Sequence, residues 1–253
     1  MLINLKTAHK PESLREAAEL LKRPGNYPVY GGGAALIRQN SRDIEEVVDL
    51  SPLLSSACEV KDDDCYLGPC ATLETIAEAQ PELAAVIKAD APLTLRNTLT
   101  LGDVLLEARP DSLFLTLLYG LAARIDTPEG ADNNLIEIDR WFDMAADERR
   151  QHLLLGIVIP HFPDTPWRFA FEKVSRTPAD APIVGVIGFA YAEEPDPGAY
   201  AVVCGLDHRP QRYSEGMQST IGDYKGSVEY RTEVAKVLYK RAIAKAIELR
   251  ATE

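Results

Sequence analysis

Three consecutive glycines, Gly31, Gly32 and Gly33, follow the strand-like residues Tyr27 to Tyr30 and offer the first legible chemistry. Without Cβ atoms the backbone lets a phosphate approach its N–H groups, so a strand running into such a turn can cradle a pyrophosphate. A tight turn that merely needs positive φ uses the same residues. The run is not the Rossmann fingerprint G-x-G-x-x-G, because Leu36 stands where its third glycine would fall.

A second candidate is the polar, turn-rich stretch from Thr94 to Asp103, with Arg96 and Asn97 placed to orient it and Thr100, Gly102 and Asp103 at its end. A buried arginine bridging two loops is an equal reading of Arg96. Cys58, Cys65, Cys70 and Cys204 form no C-x-x-C pair, so scattered thiols fit better than a metal or iron–sulfur site. His9, His152, His161 and His208 have neither metal spacing nor a nucleophile partnered in a motif, and no autonomous catalysis is expected.

The elements that must position these residues follow from periodicity and turn signals. A first helix is expected within Ala8 to Leu21, a strand at Ile44 to Leu50, and a hairpin tip at Lys61 to Asp64 leading into a strand at Cys65 to Gly68. Helices are expected at Leu73 to Ala79 with Thr72 as N-cap, at Glu82 to Lys88, and at the apolar Leu113 to Ala123. Strands at Ala122 to Asp126 and Leu153 to Ile159 follow, with Trp141-Phe142 between them as core or boundary residues. Pro163 and Pro166 mark the best domain boundary. Beyond it, strands at Phe169 to Lys173, Val184 to Glu193 and Tyr200 to Leu206 and a helix from Val228 to Arg250 suggest a small α+β domain.

Composition narrows the class. The 253 residues carry 27 Lys and Arg against 39 Asp and Glu, a formal charge of -12, which argues against nucleic acid as a partner. No stretch approaches the roughly 20 apolar residues of a membrane span, so no membrane insertion is expected. Met1 to Lys10 lacks the apolar core of a secretory signal, and a cytoplasmic location is expected.

Four separated segments together resemble the FAD-binding subunit of the molybdenum hydroxylases, the molybdopterin dehydrogenase flavoproteins of the xanthine and carbon monoxide dehydrogenase type. Gly31-Gly32-Gly33-Ala34-Ala35-Leu36 resembles the family's A-G-G-T-D-L, and Leu67 to Thr72 its I-G-A-x-T-T. Arg96 to Val104 is similar to R-N-x-x-T-x-G-G-N, and Asp223-Tyr224-Lys225-Gly226-Ser227-Val228-Glu229-Tyr230-Arg231 to D-x-R-G-S-A-x-Y-R, the most specific of the four. The resemblance implies an α+β chain. Its vanillyl-alcohol-oxidase-like (PCMH-type) FAD-binding fold comprises two α/β subdomains, expected at 1–55 and 56–163. A C-terminal flavoprotein domain of the carbon monoxide dehydrogenase type is expected at 164–253.

It further implies FAD between the subdomains, with both glycine loops cradling its pyrophosphate, and iron–sulfur and molybdenum cofactor subunits as partners. The cofactor-binding residues so implied are Gly31, Gly32, Gly33, Ala34, Ala35, Leu36, Arg96, Asn97, Thr100, Gly102, Asp103, Asp111 and Lys225. An FAD-binding electron-transfer subunit is the function implied. The departures from the family pattern open a second reading, a relative without FAD that serves as an assembly or scaffold subunit. The loop's second glycine is Asp103 and the following residue Val104; Leu113 replaces an aspartate that contacts the flavin's sugar-like chain, with Asp111 two residues before it. A carboxylate about 4 Å from a phosphate costs about 4 kcal/mol at an effective dielectric of about 20, unless its side chain turns away.

Overall fold

The computed structural model describes residues 4–23, 29–30, 44–130, 135–162, 167–178, 180–191 and 198–251. Strands β1 (Thr7–His9), β2 (Val29–Tyr30) and β3 (Glu46–Asp49) form a parallel sheet in the order β1-β3-β2. Helix α1 (Leu14–Leu21) lies between β1 and β2 in sequence and buries Ala17, Leu20 and Leu21 in a cluster with Val48, Leu50 and Leu153. The helix expected within Ala8 to Leu21 occupies the second part of that run. Thr7 to His9 pair with Glu46 to Val48, a partner that local sequence does not disclose. Ser13 then caps the helix by accepting from Glu16 N at 3.2 Å.

The second sheet is antiparallel throughout, in the order β4-β5-β8-β6-β7. Its strands are β4 (Cys58–Lys61), β5 (Asp64–Leu67), β6 (Arg124–Gly130), β7 (Leu135–Glu137) and β8 (Gly156–Ile159). Asp62 and Asp63 turn the β4–β5 hairpin at φ 51° and 67°, the left-handed pair that a two-residue tip requires and aspartate tolerates. Five helices separate β5 from β6: α2 (Leu73–Ala79), α3 (Pro81–Asp90), α4 (Leu93–Arg96), α5 (Leu101–Glu107) and α6 (Leu113–Gly120). Thr72 caps α2 as its sequence indicates. The stretch expected as loop, Thr94 to Asp103, instead contains most of α4 and the start of α5. Thr100 and Asp103 stand at the spacing of a capping box, whose hydrogen bonds start a helix where the residue types alone suggest a turn. Trp141 and Phe142 sit on α7 (Ile138–Asp143), followed by α8 (Ala146–Arg149); Trp141 is fully buried and donates from Nε1 to Leu105 O at 2.9 Å.

The third sheet, also antiparallel, runs β12-β11-β10-β9, from β9 (Trp167–Val174), β10 (Val184–Tyr191), β11 (Ala199–Cys204) and β12 (Gln211–Arg212). Helix α9 (Val228–Ala251) packs on β9 and β10, while α6 packs against β10 and β11. Covered on both faces, β10 reads as an apolar run rather than an alternation, and its first seven residues are buried. The largest core cluster is continuous from Leu67 and Ile157 of the second sheet, through Leu113 to Leu118 of α6, to Ile187, Phe189 and Val202 of the third.

The approach of α9 to β10 is close because both sides are small. A Cβ built on Gly188 would lie 2.6 Å from the carbonyl carbon and 2.7 Å from the oxygen of Ala242, both backbone atoms. The substitution Gly188→Ala is therefore expected to push α9 off the sheet and cost about 1–3 kcal/mol, the usual range for overpacking a core. Chemical denaturation should show the midpoint falling with little change in slope.

Candidate functional site

Helix α5 is held at its first turn by the segment before α2. Thr72 and Thr100 form an antiparallel bridge, with Leu73 N donating to Leu99 O at 3.0 Å and Leu101 N to Ala71 O at 2.9 Å. Gly102 N donates to Pro69 O at 2.9 Å, and a Cβ at residue 102 would stand 3.1 Å from that oxygen, so the glycine serves close packing. Thr100 N donates to Asp103 Oδ2 at 3.1 Å, Asp103 N to Thr100 Oγ1 at 3.2 Å, and Val104 N to Thr100 O at 3.1 Å. Each backbone N–H from Thr100 to Val104 thus has an acceptor within the chain. Thr100 and Asp103 are buried, and beside them Leu50, Pro69, Cys70, Gly102 and His152 bound a recess of about 20 Å³.

Arg96 and Asn97 do different work. Arg96 is buried on α4, with Nε donating to Glu74 Oε2 of α2 and Nη1 to Ala91 O beyond α3, at 2.9 Å. Arg96 thus bridges helix α2 and the residue that follows α3, rather than two loops. Its hydrogen bond holds the Glu74 carboxyl below the usual carboxylate range. Asn97 is the exposed C-cap of α4 and donates its N–H to Leu93 O.

A second polar cluster gathers at the start of α6. Arg109 donates to Asp111 Oδ1 from Nε at 3.0 Å and Nη2 at 2.8 Å, and Lys225 Nζ stands 3.5 Å from Asp111 Oδ2. Asp111 and Lys225, both singled out in sequence, thus come together from 114 residues apart. Arg231 of α9 fixes the loop carrying Lys225. Buried, it donates to Ile183 O at 2.6 Å, Gly205 O at 2.9 Å, Gly226 O at 3.2 Å and Asp223 Oδ1 at 2.7 Å, while Asp223 accepts from Lys225 N at 2.8 Å.

Besides Arg109, two further residues beside this cluster were not singled out in the sequence. Asp90, at the end of α3, accepts from Ser112 Oγ and Leu113 N, each at 2.7 Å, and so brings a carboxylate to the helix end where residue 113 is a leucine. Burial pushes its carboxyl above the usual range, against those hydrogen bonds and the charge of Arg109. Lys173 of β9 donates to Ala89 O at 2.6 Å and Pro178 O at 2.9 Å, and burial lowers its ammonium pKa. The apolar run from Leu113 gives the helix itself, but no spacing ties residue 90 or 173 to its N-terminus. Asp90, Arg109, Ser112 and Leu115 border a cavity of about 70 Å³.

Gly31 to Leu36, the first glycine loop, lie outside the described residues. The four cysteines are unpaired in disulfides, and burial raises the Cys65 and Cys204 thiols to about 12. Among the described residues no group of three or more His, Cys, Asp or Glu could hold a metal ion, and no helix is long and apolar enough to cross a membrane.

A parallel three-stranded sheet, a five-stranded antiparallel sheet among helices and a C-terminal four-stranded sheet under one long helix define a mixed α and β architecture. Residues 4–162 match the family described as FAD binding domain in molybdopterin dehydrogenase, and the chain belongs to that family. Among solved structures, a carbon monoxide dehydrogenase from Hydrogenophaga pseudoflava superposes with a TM-score of 0.81 at 18% identity, covering 99% of each chain. Quinoline 2-oxidoreductase from Pseudomonas putida 86 gives the same values. Reconstituted carbon monoxide dehydrogenase from Oligotropha carboxidovorans gives 0.81 at 22% identity, over 97% of this chain and 99% of that one. At these identities the likeness is one of fold. No curated protein sequence matches the chain.

The family's cofactor is FAD, and the described residues can be tested against its diphosphate. At α5 they do not fit. The donors that a phosphate would need are engaged, and the Asp103 carboxylate lies at the helix end itself.

Arg96 ties α2 to the end of α3. Arg96→Met should cost about 1–3 kcal/mol through the Ala91 carbonyl left without its donor. Glu74 adds a pH dependence. Because its folded pKa is depressed, its stabilisation is present above the unfolded value of about 4.3 and lost as pH falls through the folded one. The gap in melting temperature between native and variant chains should accordingly narrow in acid.

Proposed function

We propose that the chain is the FAD-binding electron-transfer subunit of a cytoplasmic molybdenum-hydroxylase-type oxidoreductase. In this reading electrons pass from iron–sulfur clusters of a partner subunit to an external acceptor, and a further subunit holds the molybdenum cofactor. The observation that carries the reading is the family match over residues 4–162. Support comes from the fold shared over nearly the whole chain with a carbon monoxide dehydrogenase and a quinoline 2-oxidoreductase. Bound FAD would supply the capacity to accept and release electrons singly or in pairs.

The reading assigns residues 1–55 and 56–163 to the two FAD-binding subdomains and 164–253 to the flavoprotein C-terminal domain. It assigns phosphate contact to Gly31, Gly32 and Gly33, with Ala34, Ala35 and Leu36 completing the loop through backbone groups. Asp111 and Lys225 supply a charged pair, held by Arg109 and Arg231, to orient the cofactor's polar groups.

The purified chain should take up FAD, showing flavin absorption and a raised melting temperature. A ligand at 100 times its Kd stabilises by about 2.7 kcal/mol. A chain that stays colourless and unshifted in excess FAD defeats the reading. In the native host the chain should copurify with an iron–sulfur and a molybdenum subunit.

A further inference from the structure

The N-terminus of helix α5 is closed by the chain's own residues. Thr100 N is taken by the Asp103 carboxylate, Asp103 N by the Thr100 hydroxyl, and Leu101 N and Gly102 N by the carbonyls of Ala71 and Pro69. The bond from Leu101 N to Ala71 O is itself part of the Thr72–Thr100 bridge, and Gly102 N is held separately by its 2.9 Å bond to Pro69 O. The remaining pair, Thr100 N and Asp103 N, depends on the capping box alone. Among the described groups that close this helix end, only the Asp103 side chain carries charge.

Resting on the reading of the chain as an FAD-binding subunit, we propose that Asp103 excludes the diphosphate of FAD from the N-terminus of α5 and thereby sets a weak, exchangeable affinity for the cofactor. The carboxylate does two things at once. It takes up the Thr100 N–H, which is then closed to a phosphate oxygen, and it places negative charge at the helix end. A glycine at residue 103 would do neither, and an asparagine would keep an acceptor for Thr100 N while removing the charge.

The test compares native chain, Asp103→Asn and Asp103→Gly, each titrated with FAD, with ADP as the diphosphate-bearing part and with riboflavin, which has no phosphate. Binding is read by calorimetry, and the melting temperature without ligand is recorded for each form. Tightening by about tenfold or more for FAD and ADP, with riboflavin unchanged, is the expected result; it should appear in Asp103→Asn even if Asp103→Gly loses too much helix capping to fold. Native chain that binds FAD as tightly as Asp103→Asn overturns the role of Asp103 and leaves the flavoprotein reading standing. Equal tightening for riboflavin overturns it too, since the effect would not be on phosphate. Failure of every form to bind FAD overturns both, and binding by the variants alone overturns the weak native affinity and, with it, the flavoprotein reading.

Discussion

Helix α6 is the element on which the arrangement turns, because it is buried on all sides. Leu113 to Leu118 are inaccessible, with the second sheet's core on one flank and β10 and β11 on the other. At about 25 cal/mol per Å² of apolar surface, a helix buried all round stabilises both layers it touches and couples them. Its N-terminal N–H groups then open into low-dielectric surroundings and need acceptors. Ser112 and Asp90 provide them, and Asp90 in turn lies beside the Ala89 carbonyl that holds Lys173 of β9. One packing decision therefore fixes α3, α6 and β9 together.

The same logic orders the C-terminal motif. Arg231 spends its donors on the carbonyls of Ile183, Gly205 and Gly226 and on Asp223, so the start of α9, the third sheet and the Asp223–Gly226 turn become one unit. Lys225 is carried to Asp111 as a consequence, and Gly205 N reaches Pro110 O from the other side. A motif that resembles a cofactor signature thus owes much of its residue choice to internal hydrogen bonding. Arginine suits that task because its planar fork can satisfy several fixed acceptors at once.

What the sequence disclosed divides along the same line. Thr72 before an apolar helical run, Asp62-Asp63 at a hairpin tip, and the apolar run of β10 are local signals, and the elements formed where they indicate. The start of α5 did not look helical because threonine, glycine and aspartate favour turns in isolation; their capping geometry becomes decisive only once Pro69 and Ala71 fix Gly102 and Leu101. Thr7 to His9, Asp90 and Lys173 were out of reach for a related reason. Each has a partner at least 22 residues away in sequence, Asp90 in Ser112, Lys173 in Ala89 and β1 in β3.

The end of α5 shows two demands on one residue. A helix that must stand without a ligand gains from a carboxylate near its N-terminus, by about 0.3–1 kcal/mol, and from a filled capping box. A helix that must receive a phosphate needs those donors open and relies on the ligand to satisfy them. Thr100 and Asp103 meet the first demand, and Gly102, which a ligand-facing turn also favours, is here required by the 3.1 Å approach to Pro69 O. A glycine in such a loop is therefore weak evidence of a phosphate site, and the acceptors of the neighbouring N–H groups are the better guide. By that measure the α5 end of this chain is built to be stable without a phosphate.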